Sequence, residues 1–355
     1  MKFAFFIHPL EARDMVKKYP FLKPLPDRAI EGLALAIKPK VIAHVTGIES
    51  PDGHKTEGYF VGIPLTPRQF MELPKETVYR KLIAGVEVAR EAGAEIVGLG
   101  AFTSVFDDGG ITLQKRTGMA ITTGNSYTVA TAIEGTLDAC DRVGIDRKQA
   151  VLAVVGATGS IGRACAEVMA PEFGKVILIG RELAKTEVVS EAILGSVATV
   201  TIADLVEADV VVTVTSSDSD LILPEHIKQG AIICDVARPR DVSVRVAKER
   251  PDVLVIEGGV IDVPGDVEFN FEFGFPAKTA YACMSETFML AMEGRAESFS
   301  LGKTVTADQV HETWEMANRL GFKLAGYRSF ERAVGEEEIE RVRVARQTVS
   351  AAVGG

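Results

Sequence analysis

The chain has 355 residues, 47% of them hydrophobic and 25% charged, with a formal net charge of −10. That length favours two domains over one core, and the acidic balance argues against a nucleic-acid binder, which needs a basic stripe to meet phosphates. Composition gives no sign of disorder, and no apolar run is long enough to span a bilayer.

The opening run Phe3-Ala4-Phe5-Phe6-Ile7 stops at His8-Pro9. It is too short for a signal-peptide core, and no small-residue cleavage site follows, so a buried first strand is expected. Strands are expected at 3–7, 41–47, 59–64 and 95–100. Residues 75–92 have helical spacing, with Val78, Leu82, Ile83, Val86 and Ala89 on one stripe and Gly93 as the stop. Another helix is expected over 126–143, after Thr122-Thr123-Gly124-Asn125 and before Gly144.

Beyond it the pattern changes. Short apolar strands are expected at 151–155, 176–179, 199–202, 210–215, 231–236 and 253–257, with helices running to about 169 and over 183–193. Fully apolar strands alternating with helices call for a parallel sheet covered on both faces. From 276 onward the chain reads as helical, and 335–347, rich in Glu and Arg, as a solvated helix or tail. The expected fold is α/β with three parts: an N-terminal α/β substrate lobe with a linking helix (1–147), a Rossmann nucleotide-binding domain (148–265), and a helical C-terminal segment (266–355). The last returns to a cleft between the lobes, where substrate would meet the nicotinamide.

The loop Gly156-Ala157-Thr158-Gly159-Ser160-Ile161-Gly162 follows an apolar strand and opens a helix, the context in which such glycines signal a dinucleotide. Gly156 allows the tight turn, Gly159 lets backbone approach the pyrophosphate, and Gly162 permits close helix–sheet packing. The phosphates would lie at the positive end of the helix. An NAD site usually carries Asp or Glu at the end of the second strand. Here Ile179-Gly180-Arg181 stands there, with Lys185 one turn on. An arginine suits a 2′-phosphate by charge-assisted bonding, so NADPH is the expected cofactor. Thr215 and Ser216, at the end of the fourth strand, would line the nicotinamide ribose, and Gly259, after the last strand, would admit the ring.

The four cysteines, Cys140, Cys165, Cys234 and Cys283, lie far apart with no C-x-x-C pair. A disulfide framework or structural zinc is not expected, and a reducing cytoplasm fits. The five histidines, His8, His44, His54, His226 and His311, form no zinc motif, so no metal is expected. Cys140, Cys165 and Cys234 fall inside expected helices and a strand, as small core residues do. Cys283 stands near the start of a helix after Pro276, where the helix terminus lowers a thiol's pKa and favours the nucleophile; a buried, inert thiol is the competing reading.

Four segments carry a resemblance. Leu99-Gly100-Ala101-Phe102-Thr103-Ser104, Thr122-Thr123-Gly124-Asn125-Ser126, Val154 through Gly162, and Ala282-Cys283-Met284-Ser285-Glu286 resemble the cyanobacterial long-chain acyl-[acyl-carrier-protein] reductases, in similar order from Phe3 to about Leu324. The resemblance implies NADPH-dependent reduction of a long-chain acyl thioester, carried on acyl-carrier protein or coenzyme A, to a fatty aldehyde. It implies Cys283 as the residue that takes the acyl group. His8 matches a family histidine, fit for acid–base work or for capping a strand end. Ser160 and Tyr127 depart from the family, which has an acidic residue and a histidine there, and residues beyond Leu324 have no family counterpart. The apolar acyl chain would need lining, for which Phe102 and the Phe269, Phe271, Phe273, Phe275 series are candidates. Two other readings stand beside this one: a shikimate-dehydrogenase-like NADP oxidoreductase acting on a small hydroxy acid or ketone through a Lys/Asp pair, and a non-catalytic nucleotide-binding protein.

Overall fold

The computed structural model describes the chain apart from residues 19, 216–219, 238–239, 258–259, 273, 275, 303, 331 and 354–355, and apart from the side chains of 17, 18 and 349–353. Two compact units are present. The first comprises Met1–Asn125, Ile261–Thr304 and Glu315–Lys323; the second comprises Ser126–Val260, Val305–Trp314 and Leu324–Gly355. The C-terminal part of the chain is therefore shared between them.

In the first unit β1 (Phe3–Ile7), β2 (Lys40–Glu49), β3 (Lys55–Gly62), β4 (Ile96–Gly98) and β5 (Ala120–Thr122) form a sheet ordered β2-β3-β1-β4-β5, with the strand Gly265–Glu268 antiparallel on β2. β3, β1, β4 and β5 run parallel, so their carboxyl ends share one edge. Both faces are covered, which is why β1 is apolar throughout. Alternation sends Ala4 and Phe6 into a core with Val78, Leu82 and Val86 of the helix Lys75–Glu91. It sends Phe3 to the opposite face, where its ring lies 4.7 Å from that of Phe288. Phe288 belongs to the helix Ala282–Met292, buried along nearly its whole length, as its apolar sequence requires.

In the second unit β6 (Val151–Val155), β7 (Lys175–Ile179), β8 (Ser196–Thr199), β9 (Val210–Thr213), β10 (Ile232–Asp235) and β11 (Leu254–Glu257) are parallel and ordered β8-β7-β6-β9-β10-β11. Counted from β6, that is the 3-2-1-4-5-6 order of a dinucleotide-binding sheet, whose direction reverses between β6 and β9. The fold is thus α/β with a Rossmann sheet, a second α/β unit and helices dominating the C-terminal part.

Three local expectations are corrected. The strand expected at 199–202 lies at Ser196–Thr199, because a turn at Gly195 (φ 78°) starts it early and the Thr199 hydroxyl bonds Asp204 (2.7 Å), opening the short helix Ile202–Glu207. The stretch after 276 is not helical throughout. The pair Arg328–Ser329 and Arg332–Ala333 forms an antiparallel extension beside β11. Nor is the final helix, Glu336–Val353, merely solvated. It buries Ile339 and Val342, and Arg346 reaches the Gly230 carbonyl and the Asp209 carboxylate, both at 3.1 Å.

Candidate functional site

In the second unit the glycine loop leaves β6 through Gly156 (φ 86°), and the N–H groups of Gly156 and Ala157 both donate to the Ile179 carbonyl at 2.9 and 3.1 Å. The loop is thereby fastened to the carboxyl end of β7. A Cβ on Gly162 would overlap the Gly156 carbonyl oxygen; only hydrogen lets the helix Ser160–Met169 approach so closely. Gly159 caps that helix without a side-chain bond, which suits backbone donors to an anion. Ala157 is buried, while Thr158 and Gly159 are exposed and Ser160 and Ile161 half-buried. Arg181, two residues past β7, is exposed and has no ion pair among the described residues, whereas neighbouring Lys185 is paired with Glu182 at 2.7 Å. A cation left open beside a glycine loop fits a phosphate-bearing nucleotide.

Thr215 stands at the reversal point, but its groups are engaged. Its N–H donates to Asp241 at 2.9 Å and its hydroxyl donates to the same carboxylate, as does that of Thr213. Asp241, fully buried, shapes this loop, a residue that its sequence neighbourhood gave no reason to single out. Ser216 and Gly259 lie outside the described residues. Tyr127 is 1% exposed, its ionisation suppressed by burial.

In the first unit Cys283 is the second residue of the helix Ala282–Met292 and keeps partial exposure, while Cys140, Cys165 and Cys234 are fully buried. Its backbone lies under the loop after β5. Gly124 (φ 74°) passes so close that a Cβ there would overlap the Cys283 Cα and Cβ. The end of β5 bonds the helix further on, where the Thr122 hydroxyl donates to the Glu286 carboxylate; within the helix, the Thr287 hydroxyl donates to the Cys283 carbonyl at 3.4 Å. The Thr123 hydroxyl donates to the Ser300 carbonyl. The thiol departs from expectation. Burial and the Glu286 carboxylate push it up to about 12, and backbone N–H bonds from the helix start pull the other way without prevailing. Although the residue is half-exposed, protein crowds the sulfur itself, and desolvation outweighs the helix terminus.

His8 follows β1 at the same carboxyl edge. Its Nε2 accepts the Phe102 N–H at 3.2 Å, which leaves Nδ1 to donate to the Pro9 carbonyl at 3.0 Å. Burial lowers its pKa, so both ring nitrogens of a neutral imidazole are satisfied; the strand-end cap accounts for it. Phe102 is half-buried and packs edge-on against His8. Phe269 is a core residue stacked with Phe60 and Phe288, and Phe271 meets Phe60 edge-on; Phe273 and Phe275 lie outside the described residues. A concavity of about 700 Å³ opens at the opposite edge, around Met1, Lys2, Lys55 and Glu57. Four of its charged groups are paired (Lys2–Glu57 at 2.8 Å, Lys55–Glu49 at 3.0 Å), and its lining has no cysteine, serine or histidine. No helix among the described residues is long and apolar enough to cross a membrane.

Residues 139–257 match the family model of shikimate / quinate 5-dehydrogenases. The chain is 28% identical over 363 residues to the aminotransferase PigE of Serratia sp., an alignment covering 97% of this chain and 41% of PigE, so the chain spans about two fifths of that protein's length. It is 27% identical over 329 residues to the long-chain acyl-[acyl-carrier-protein] reductase of Synechococcus elongatus, covering 88% of this chain and 95% of the reductase. Among solved structures it is similar to glutamyl-tRNA reductase from Methanopyrus kandleri, with a TM-score of 0.31 and 15% identity over 79% of this chain and 57% of that one. Strand order and sequence relatives together are those of the NAD(P)-dependent oxidoreductases.

Proposed function

We propose that the chain reduces a long-chain acyl thioester, presented on acyl-carrier protein or coenzyme A, to a fatty aldehyde with NADPH, through an acyl group held on Cys283. One observation carries this reading. The half-exposed cysteine among the four sits at a helix start, beneath a glycine that its own backbone requires. The likeness over most of the chain to an acyl-[acyl-carrier-protein] reductase supports it.

The residues divide the work. The loop 156–162 and the uncapped helix start bind the pyrophosphate, and Arg181 takes the 2′-phosphate. When bound, NADPH supplies the hydride that converts the acyl carbonyl to the aldehyde. The Cys283 sulfur attacks the thioester carbonyl and expels the carrier thiol, keeping the acyl group on the enzyme. Backbone N–H groups at the start of the helix offset the charge that develops there. Mixing the protein with palmitoyl-coenzyme A without NADPH and weighing it by mass spectrometry tests the reading. An adduct on Cys283 is expected; full aldehyde formation by Cys283→Ala once NADPH is added overturns the covalent route.

A second reading, hydride transfer to a small hydroxy acid or ketone, is favoured by the family match at 139–257 and by a Lys/Asp pair in the first unit, Lys75–Asp107 at 2.5 Å. It predicts that Lys75→Ala abolishes turnover of such a substrate, and that iodoacetamide leaves turnover intact.

A further inference from the structure

The glycine loop borders the end of another strand. A Cβ placed on Gly156 would lie 3.2 Å from the Thr215 methyl and 3.3 Å from the Val214 carbonyl, and one on Gly162 would lie 2.9 Å from a Val214 methyl. Val214 and Thr215, both half-buried, follow β9. The sheet order reverses between β9 and β6, the crevice that a dinucleotide straddles. A sheet of this order is two mononucleotide-binding halves, here β6 to β8 and β9 to β11. Arg181 follows β7 and belongs to the first half, which makes that half the adenosine side. The nicotinamide half of a bound cofactor then falls to the end of β9.

One residue from elsewhere in the chain holds that end. Asp241, fully buried and 26 positions beyond Thr215, accepts the Thr213 hydroxyl, the Thr215 hydroxyl and, at 2.9 Å, the Thr215 N–H. Its own carbonyl accepts the N–H groups of Leu221 and Ile222 at 2.8 and 2.9 Å. Val242, the next residue, is fixed in turn, its N–H donating to Asp235 at the end of β10 at 3.0 Å. The ladder to β6 reaches Val214, whose N–H donates to the Val155 carbonyl at 3.1 Å. Past it the Asp241 carboxylate takes over as the partner of the chain. A carboxylate is costly to bury unless hydrogen bonds compensate it. Bonds to an ionised acceptor are about twice as strong as neutral ones, so three converging donors make a firm clamp.

We infer that Asp241 is a positioning residue for the nicotinamide half of the cofactor, acting through Thr213 and Thr215. The inference rests on the NADPH part of the proposed function. Thr213 is itself fully buried, so its hydroxyl serves Asp241 and not a ligand. Without the carboxylate, Val214 and Thr215 lose what fixes them beyond the ladder, and the nicotinamide side of the crevice loses its shape. The adenosine side is anchored independently, since Gly156 and Ala157 donate to the Ile179 carbonyl at the end of β7. Loss of Asp241 therefore weakens one half of the cofactor's contacts and spares the other, whereas a residue needed only for folding would weaken both together.

Titration calorimetry on the full chain with two ligands tests this: NADPH, and 2′-phospho-ADP-ribose, which lacks only the nicotinamide. Asp241→Asn keeps one acceptor oxygen and puts an amide in place of the other, so the three donors can no longer all be met. It is expected to weaken NADPH binding about 10-fold, as the loss of a bond to a charged group does, and to leave 2′-phospho-ADP-ribose unchanged. Equal losses for the two ligands, or no loss for NADPH, overturn the inference. Should Asp241→Asn fail to fold, Thr213→Val, which removes one donor, is expected to show the same selective loss. Thr213→Ser, which keeps the hydroxyl, is expected to bind NADPH as the wild type does; equal NADPH affinities in these two variants overturn the inference. A wild-type chain that binds neither ligand overturns the nucleotide reading, and the inference with it.

Discussion

Gly124 shows how one residue type serves both backbone and chemistry. Its φ of 74° is costly for any residue with a Cβ, by about 1–2 kcal/mol, and a methyl there would collide with Cys283. Gly124→Ala is therefore expected to destabilise the first unit by at least that amount and to abolish the Cys283 adduct, which thermal unfolding and mass spectrometry would show together. Arg181 is the residue on which we propose cofactor choice turns. An exposed guanidinium without an ion pair among the described residues contributes a charge-assisted bond only when a phosphate arrives. Arg181→Ala should weaken NADPH binding about 10- to 100-fold, the equivalent of about 1.5–3 kcal/mol, and leave NADH unchanged; equal losses for both would remove the 2′-phosphate role. The place of Arg181 behind the second strand was legible from the sequence, and the contact of Gly124 with Cys283 was not. The state of the thiol was not, since crowding by residues distant in the chain decides it.

At the scale of elements, the final helix is the informative case. Its alternation of Glu and Arg suggests a solvated face, and much of it is exposed, yet Arg346 and the buried Ile339 and Val342 fasten it to the Rossmann unit. Asp209 receives that contact. Burial works to raise its pKa, but Lys228, the Val151 N–H and Arg346 together hold it below 3.8. A group with a lowered folded pKa stabilises above its unfolded value, and the contribution is lost as pH falls through the folded value. The second unit should lose stability below about pH 4, and Asp209→Asn should remove that pH-dependent part, read as urea midpoints between neutral and acid pH. Truncation before Glu336 should likewise lower the stability of the second unit. The short strand at Ser196–Thr199 is a similar lesson. Thr, Val and Ile favour strands over the whole of 196–202, and the side-chain bond from Thr199 to Asp204 decides where the strand stops.

Across the whole molecule, the nucleotide loop and the cysteine belong to different compact units. Each ligand should therefore leave a footprint on the unit that holds its residues. NADPH at about 100 times its Kd should stabilise the second unit by about 2.7 kcal/mol and slow hydrogen exchange around 156–162 and 181. Acylation should slow exchange around 122–124 and 282–287. Absence of protection around 156–162 and 181 on adding NADPH would remove the nucleotide assignment. The β8-β7-β6-β9-β10-β11 order is itself a whole-molecule property, assembled from strands each too short to specify its neighbours.

What the sequence determined by itself was local. Apolar strands alternating with helices announced a parallel sheet, and a glycine loop in strand–loop–helix context announced a Rossmann unit, because turn geometry and periodicity are written in neighbouring residues. Tertiary structure decided everything that depends on proximity without adjacency. It gave His8 the Phe102 N–H, set Thr215 on Asp241, laid Gly124 over Cys283, and joined Glu286 to Thr122 across 164 positions of chain. Desolvation and hydrogen bonding act over a few ångströms of space, whatever the separation in sequence.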